Sequence, residues 1–102
     1  MTQGTGTDAN PRDGDRVTFT VEVVDGRVRV KQTTVDACAA ARRAAEELVR
    51  YINGRPAEDA QLIEARDLIE RLRLDADGER CALTALAALR AALVDVHVRT
   101  LP

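Results

Sequence analysis

The segment Val17-Thr18-Phe19-Thr20-Val21-Glu22-Val23-Val24-Asp25-Gly26-Arg27-Val28-Arg29-Val30-Lys31 decides the fold. Val17, Phe19, Val21 and Val23 fall on one face of an extended chain, and Arg16, Thr18, Thr20 and Glu22 fall on the other. A period of two over eight residues is that of a half-buried strand. Asp25-Gly26 then supplies a two-residue hairpin turn, because glycine tolerates the positive φ that such a turn needs. The return strand spans residues 27–34, with Val28 and Val30 alternating against Arg27, Arg29 and Lys31.

Downstream of Asp36 the period lengthens. Ala37, Ala40, Ala41, Ala44, Ala45, Leu48, Val49 and Ile52 recur at three- and four-residue spacing, which predicts an amphipathic helix. Asp36 is placed as its N-cap and Gly54 as its terminator. Pro56, Glu58 and Asp59 suit the first turn of a second helix carrying Leu62, Ile63, Ala65, Leu68, Ile69 and Leu72. Residues 75–78 break it. A third helix covers residues 79–96, with Ala82, Leu83, Leu86, Leu89, Leu93 and Val96 on its stripe. The whole predicts an α+β domain: an antiparallel β-hairpin, with room for a third short strand, packed on three helices. A hairpin alone is marginal, so its apolar face must rest on those helices.

Upstream, residues 1–12 are rich in Gly, Thr and Asn and read as a mobile arm. Residues 13–96 form the single domain and 97–102 a tail. At 102 residues and 11.1 kDa, with 45% hydrophobic and 31% charged residues, the chain is one domain's worth of sequence. No unbroken apolar run exceeds five residues, which predicts no membrane span. The start lacks the basic and apolar regions of a secretory signal, and the expected location is cytoplasmic, with both cysteines reduced. Fifteen basic and seventeen acidic residues give a net charge of −2. The arginines are interleaved with carboxylates, and Phe19 and Tyr51 are the sole aromatics. That pattern offers neither a basic stripe nor a base-stacking platform, so no nucleic-acid partner is expected.

Chemistry has few carriers. Cys38 and Cys81 form no CxxC pair, which excludes a zinc ribbon or a thioredoxin motif. They read either as small buried hydrophobes or as thiols at the starts of the first and third helices, where the helix dipole favours the thiolate. The single histidine, His97, is read as a surface residue, and Asp13-Gly14-Asp15 as turn residues. No Ser/His/Asp arrangement or glycine-rich phosphate loop is present, so a conventional enzyme is not expected.

Taken in order, however, these residues resemble the NifU/IscU/SufU family of iron–sulfur cluster assembly scaffolds. The resemblance runs over residues 10–95. It rests on Asp25-Gly26-Arg27-Val28, Cys38, Glu47-Leu48-Val49, Ile52-Asn53-Gly54-Arg55, Glu58-Asp59-Ala60, Arg80-Cys81-Ala82-Leu83 and the alanine-rich stretch 87–93. Arg80 ahead of Cys81 is closer to the SufU branch than to IscU. The resemblance implies a SufE/NifU-like fold and a site of three cysteines and one aspartate that holds an iron–sulfur cluster or zinc. Asp15 matches the family's aspartate, Cys38 and Cys81 match two of its cysteines, and Asp13 stands where the first cysteine belongs. Metal ligands are therefore expected at Cys38, Cys81, Asp15 and Asp13. Zinc accepts such mixed sulfur and oxygen donors. An all-thiolate cluster needs four cysteines, which a homodimer would pool. Two other roles stay open: sulfur acceptance from a cysteine desulfurase for cluster-receiving proteins, and a degenerate, non-metal-binding interaction module.

Overall fold

In the computed structural model, which describes residues 2–10, 12 and 14–102, strands β1 (Thr2–Asn10), β2 (Asp15–Val24) and β3 (Arg27–Asp36) precede helices α1 (Ala39–Ile52), α2 (Ala65–Leu72) and α3 (Ala76–Thr100). A 3-10 helix, Ala57–Leu62, lies between α1 and α2. The sheet is antiparallel in the order β1-β2-β3, and the α+β class follows. Asp25 and Gly26 both adopt positive φ, 53° and 78°, so the β2–β3 connection is the tight turn that the dipeptide predicts. Val17, Phe19, Val21 and Val28 are fully buried.

One irregularity keeps β3 useful along its whole length. Thr20 pairs with Gln32, but Val21 pairs with Val30, so Lys31 is an extra residue in β3. The bulge resets the alternation. Val28 and Val30 face inward before it, and Thr33 and Val35 do so after it.

The segment 2–10 is a strand, paired with β2 along its length, rather than a loose arm. Its glycines serve packing. Gly4 and Gly6 face α3 and are buried. A Cβ on Gly4 would stand 2.7 Å from the Ala92 carbonyl oxygen, and one on Gly6 would overlap Ala92 N and the Ala88 carbonyl. With no side chain between them, strand and helix backbones meet directly, against Ala88 and Ala92 on α3.

The outer edge of β1 is partly blocked. Asp95 on α3 accepts a hydrogen bond from the Thr5 backbone N–H (2.9 Å) and another from Arg99 Nε (3.0 Å). An occupied edge N–H is unavailable to a foreign strand. These bonds, the one from Thr5 first, hold the Asp95 carboxyl below its usual value. A depressed carboxyl stabilises the fold above the unfolded-state pKa, and that stability disappears as pH falls through the folded value. Wild type is therefore expected to lose stability below about pH 4 more steeply than Asp95→Asn. Denaturant midpoints measured between neutral pH and pH 2.5 check this; parallel curves would overturn it. Some acid slope remains in the variant, because Glu47, bonded to Arg50 and paired with Arg71, is also depressed.

The edge of β3 is covered by the turn after α1. Val28 N donates to Arg55 O, Gly54 N to Val28 O, and Val30 N to Asn53 Oδ1. Several predicted boundaries shift. Asp36 ends β3, and Cys38 occupies the N-cap position of α1. The second helix is interrupted at Ile63 and Glu64, where Arg90 on α3 donates to the Ile63 carbonyl (2.6 Å) that a continuous helix would use internally. Helix α3 begins three residues early, because Asp75 Oδ1 accepts from Gly78 N (2.8 Å), and it absorbs much of the expected tail.

Helix α3 is the central element, packed against β1, β2 and α1. Its 25 residues are long and apolar enough to cross a membrane by composition, with half of its most apolar window buried inside the fold. Counting unbroken apolar runs misses this, since Thr84 and Arg90 interrupt the runs without making the helix polar.

Candidate metal centre

Three segments that are remote in sequence end at one place. Asp15 opens β2, Cys38 stands at the N-cap position of α1, and Cys81 lies on α3. Asp15 is 5% exposed and Cys81 4% exposed, whereas Cys38 faces solvent. Asp15 Oδ1 accepts from the Cys38 backbone N–H (3.1 Å), which ties the start of β2 to the start of α1. Its other oxygen lies 3.1 Å from Cys81 Sγ, where it accepts from the thiol whenever Cys81 is reduced. One carboxylate thus orients both cysteines.

The structure pairs the two sulfurs, with Cα atoms 7.0 Å apart. The expectation of reduced thiols gives way to a disulfide, because the β3–α1 junction and the first turns of α3 converge and bring the two expected ligands together. The donor atoms of Asp15, Cys38 and Cys81 all lie within 4.8 Å of one another. Donors on one tetrahedral zinc ion are separated by about 3.5–3.8 Å, given metal–ligand bonds of roughly 2.0–2.3 Å. The 4.8 Å bound on this triad stands about 1 Å above that range, and both sulfurs become available as ligands once the pair is reduced.

The two cysteines are not equivalent. Cys38 stands at a helix N-terminus, as expected. Cys81 does not: it is the sixth residue of α3, beyond the first turn in which the helix dipole acts. It is buried in the core cluster, as a packed cysteine would be, yet its sulfur faces a carboxylate. Asp13 lies outside the described residues. His97 is exposed near the far end of α3, beside an open groove of about 670 Å³ lined by Val23, Glu58, Gln61, Arg90 and Val94. Asp15 and Val23 sit at opposite ends of β2, roughly 26 Å apart at strand rise, so groove and triad are separate features.

Against known families, the model of the NifU-like N-terminal domain matches residues 1–101. The chain belongs to the NifU-like N-terminal domain family. No curated protein matches it in sequence. Among solved structures, this NifU-like domain is similar to a protein from the thermophilic Fervidobacterium islandicum AW-1, described as an iron–sulfur cluster assembly scaffold for the SUF system. The TM-score is 0.68 at 16% identity, over 90% of this chain and 81% of that one. The likeness establishes a shared α+β fold. Sequence reading named all three residues of the triad. It gave no signal that the sulfurs touch or that one is exposed and the other buried, since both properties arise from packing across 43 residues.

Proposed function

We propose that this NifU-like domain acts in iron–sulfur cluster assembly as a scaffold or sulfur acceptor, with Cys38 and Cys81 as its sulfur ligands. The convergence of two sulfurs and a buried carboxylate from three separate elements is the observation that carries this reading. Asp15 supplies the oxygen ligand, which is harder and more readily exchanged than thiolate and so suits cargo that must leave. Asp13, two residues away in sequence, is the proposed fourth ligand. Zinc bound here would stabilise the assembled site and hold both thiolates in place.

One chain supplies two cysteines, so an all-thiolate cluster would have to bridge a homodimer. The proposed partners follow from the family: a cysteine desulfurase as sulfur donor and cluster-receiving proteins as acceptors, in the cytoplasm.

The test is metal and acid-labile sulfide content after anaerobic purification, together with mass in solution. About one zinc or iron per chain is expected, lost in the Cys38→Ser/Cys81→Ser double variant. One iron–sulfur cluster per dimer would identify the bridged form. Metal retained in the double variant overturns the reading. A metal-free, sulfur-free wild type that a chelator does not destabilise would make the domain an interaction module instead.

A further inference from the structure

We infer that Cys38 and Cys81 work as a receiving and a resolving thiol: a persulfide formed on Cys38 is reduced to hydrogen sulfide as the pair closes into a disulfide. This deepens the sulfur-acceptor reading above and rests on it. Three observations support it. The sulfurs are in contact. They are unequal, with Cys38 open to solvent and Cys81 4% exposed behind it. The chain has no third cysteine, so the Cys38–Cys81 bond is its sole internal disulfide.

An incoming persulfide, R–S–SH, meets Cys38 first. Transfer of its outer sulfur gives Cys38 Sγ–SH and R–SH. Cys81 Sγ then attacks Cys38 Sγ. The Sγ–Sγ bond forms, the bond from Cys38 Sγ to the outer sulfur breaks, and that sulfur leaves with the electron pair. The two thiol sulfurs are oxidised to the disulfide, and the two electrons reduce sulfane sulfur to sulfide. Asp15 Oδ2, 3.1 Å from Cys81 Sγ, takes the thiol proton, which departs with the leaving group as hydrogen sulfide. An external dithiol returns the pair to its reduced state by thiol–disulfide exchange.

Mixing reduced, metal-free protein anaerobically with glutathione persulfide tests the step. Released sulfide, free thiols and protein mass are measured against the persulfide alone. Wild type is expected to release about one hydrogen sulfide per chain and to lose both thiols. Cys81→Ser and Cys81→Ala are expected to release at most about a tenth as much and to keep Cys38 one sulfur heavier. The pair of variants, each checked for its melting transition, separates loss of the thiol from loss of the fold. A wild type that holds the extra sulfur without releasing sulfide overturns the resolving role and leaves sulfur acceptance standing. A wild type that takes up no sulfur overturns both. Undiminished release from both folded Cys81 variants overturns the role of Cys81.

Discussion

Gly6→Ala lowers the melting temperature by more than about 12 °C, the largest effect expected from any one-carbon change in this chain. The new Cβ would overlap Ala92 N and the Ala88 carbonyl and lie 2.6 Å from Ala91 C. All three are backbone atoms of a central helix, so no side chain can swing aside. Either α3 shifts outward, opening its contacts with β1 and β2, or β1 detaches. Overpacking typically costs about 1–3 kcal/mol, and clashes with backbone belong at or above the upper end. A domain of this size loses roughly 4–8 °C per kcal/mol. Gln3→Ala, exposed on the same strand, is the control and stays within about 0.5 kcal/mol of wild type. Equal melting of Gly6→Ala and wild type would return residues 2–10 to the status of a dispensable arm.

Asp15→Asn separates the two tasks of that carboxylate. The amide oxygen can still accept from the Cys38 N–H, so the β2–α1 tie survives and the fold is retained. The negative charge and one metal-binding oxygen are lost, and zinc affinity falls about 100-fold or more. The readout is thermal. A ligand that binds the native state at 100 times its Kd stabilises it by about 2.7 kcal/mol. Zinc at that concentration should therefore raise the wild-type melting temperature clearly and barely move that of Asp15→Asn. If both respond alike, Asp15 is a structural tie and not a ligand. This experiment is independent of the sulfide-release assay, which uses metal-free protein.

The mistaken reading of residues 2–10 shows where composition misleads. Gly4 and Gly6 among threonines suggest a chain too flexible and too polar to order. In the structure, the same glycines are the positions at which a helix backbone must come closest. Glycine marks either freedom or tightness, and the segment itself cannot say which. The reason lies 80 to 90 residues away, in Ala88, Ala92 and Asp95. The interrupted second helix is similar: its apolar spacing continues through residue 63, but Arg90 from α3 claims the Ile63 carbonyl.

The hairpin, by contrast, was legible because everything that fixes it is local. Its alternation is set by the strand's own period, and its turn by the φ values of two adjacent residues. Even there the bulge at Lys31 shows only as a change of parity, from Val28 and Val30 before it to Val35 after it, and a single valine beyond the shift does not establish a new register.

The sequence by itself therefore determined the hairpin, the order of the helices, the α+β class and the kinds of donor atom available: two thiols and a carboxylate. Those follow from periodicity, turn chemistry and residue identity, which act within a few residues. The tertiary structure alone decided that the N-terminal segment completes the sheet, that Asp15 meets Cys81 across 66 residues, and that one sulfur is exposed while its partner is buried. Such contacts depend on how α3 seats against β1 and α1 together. That seating is a property of the whole packed core and is written in no single stretch of the chain.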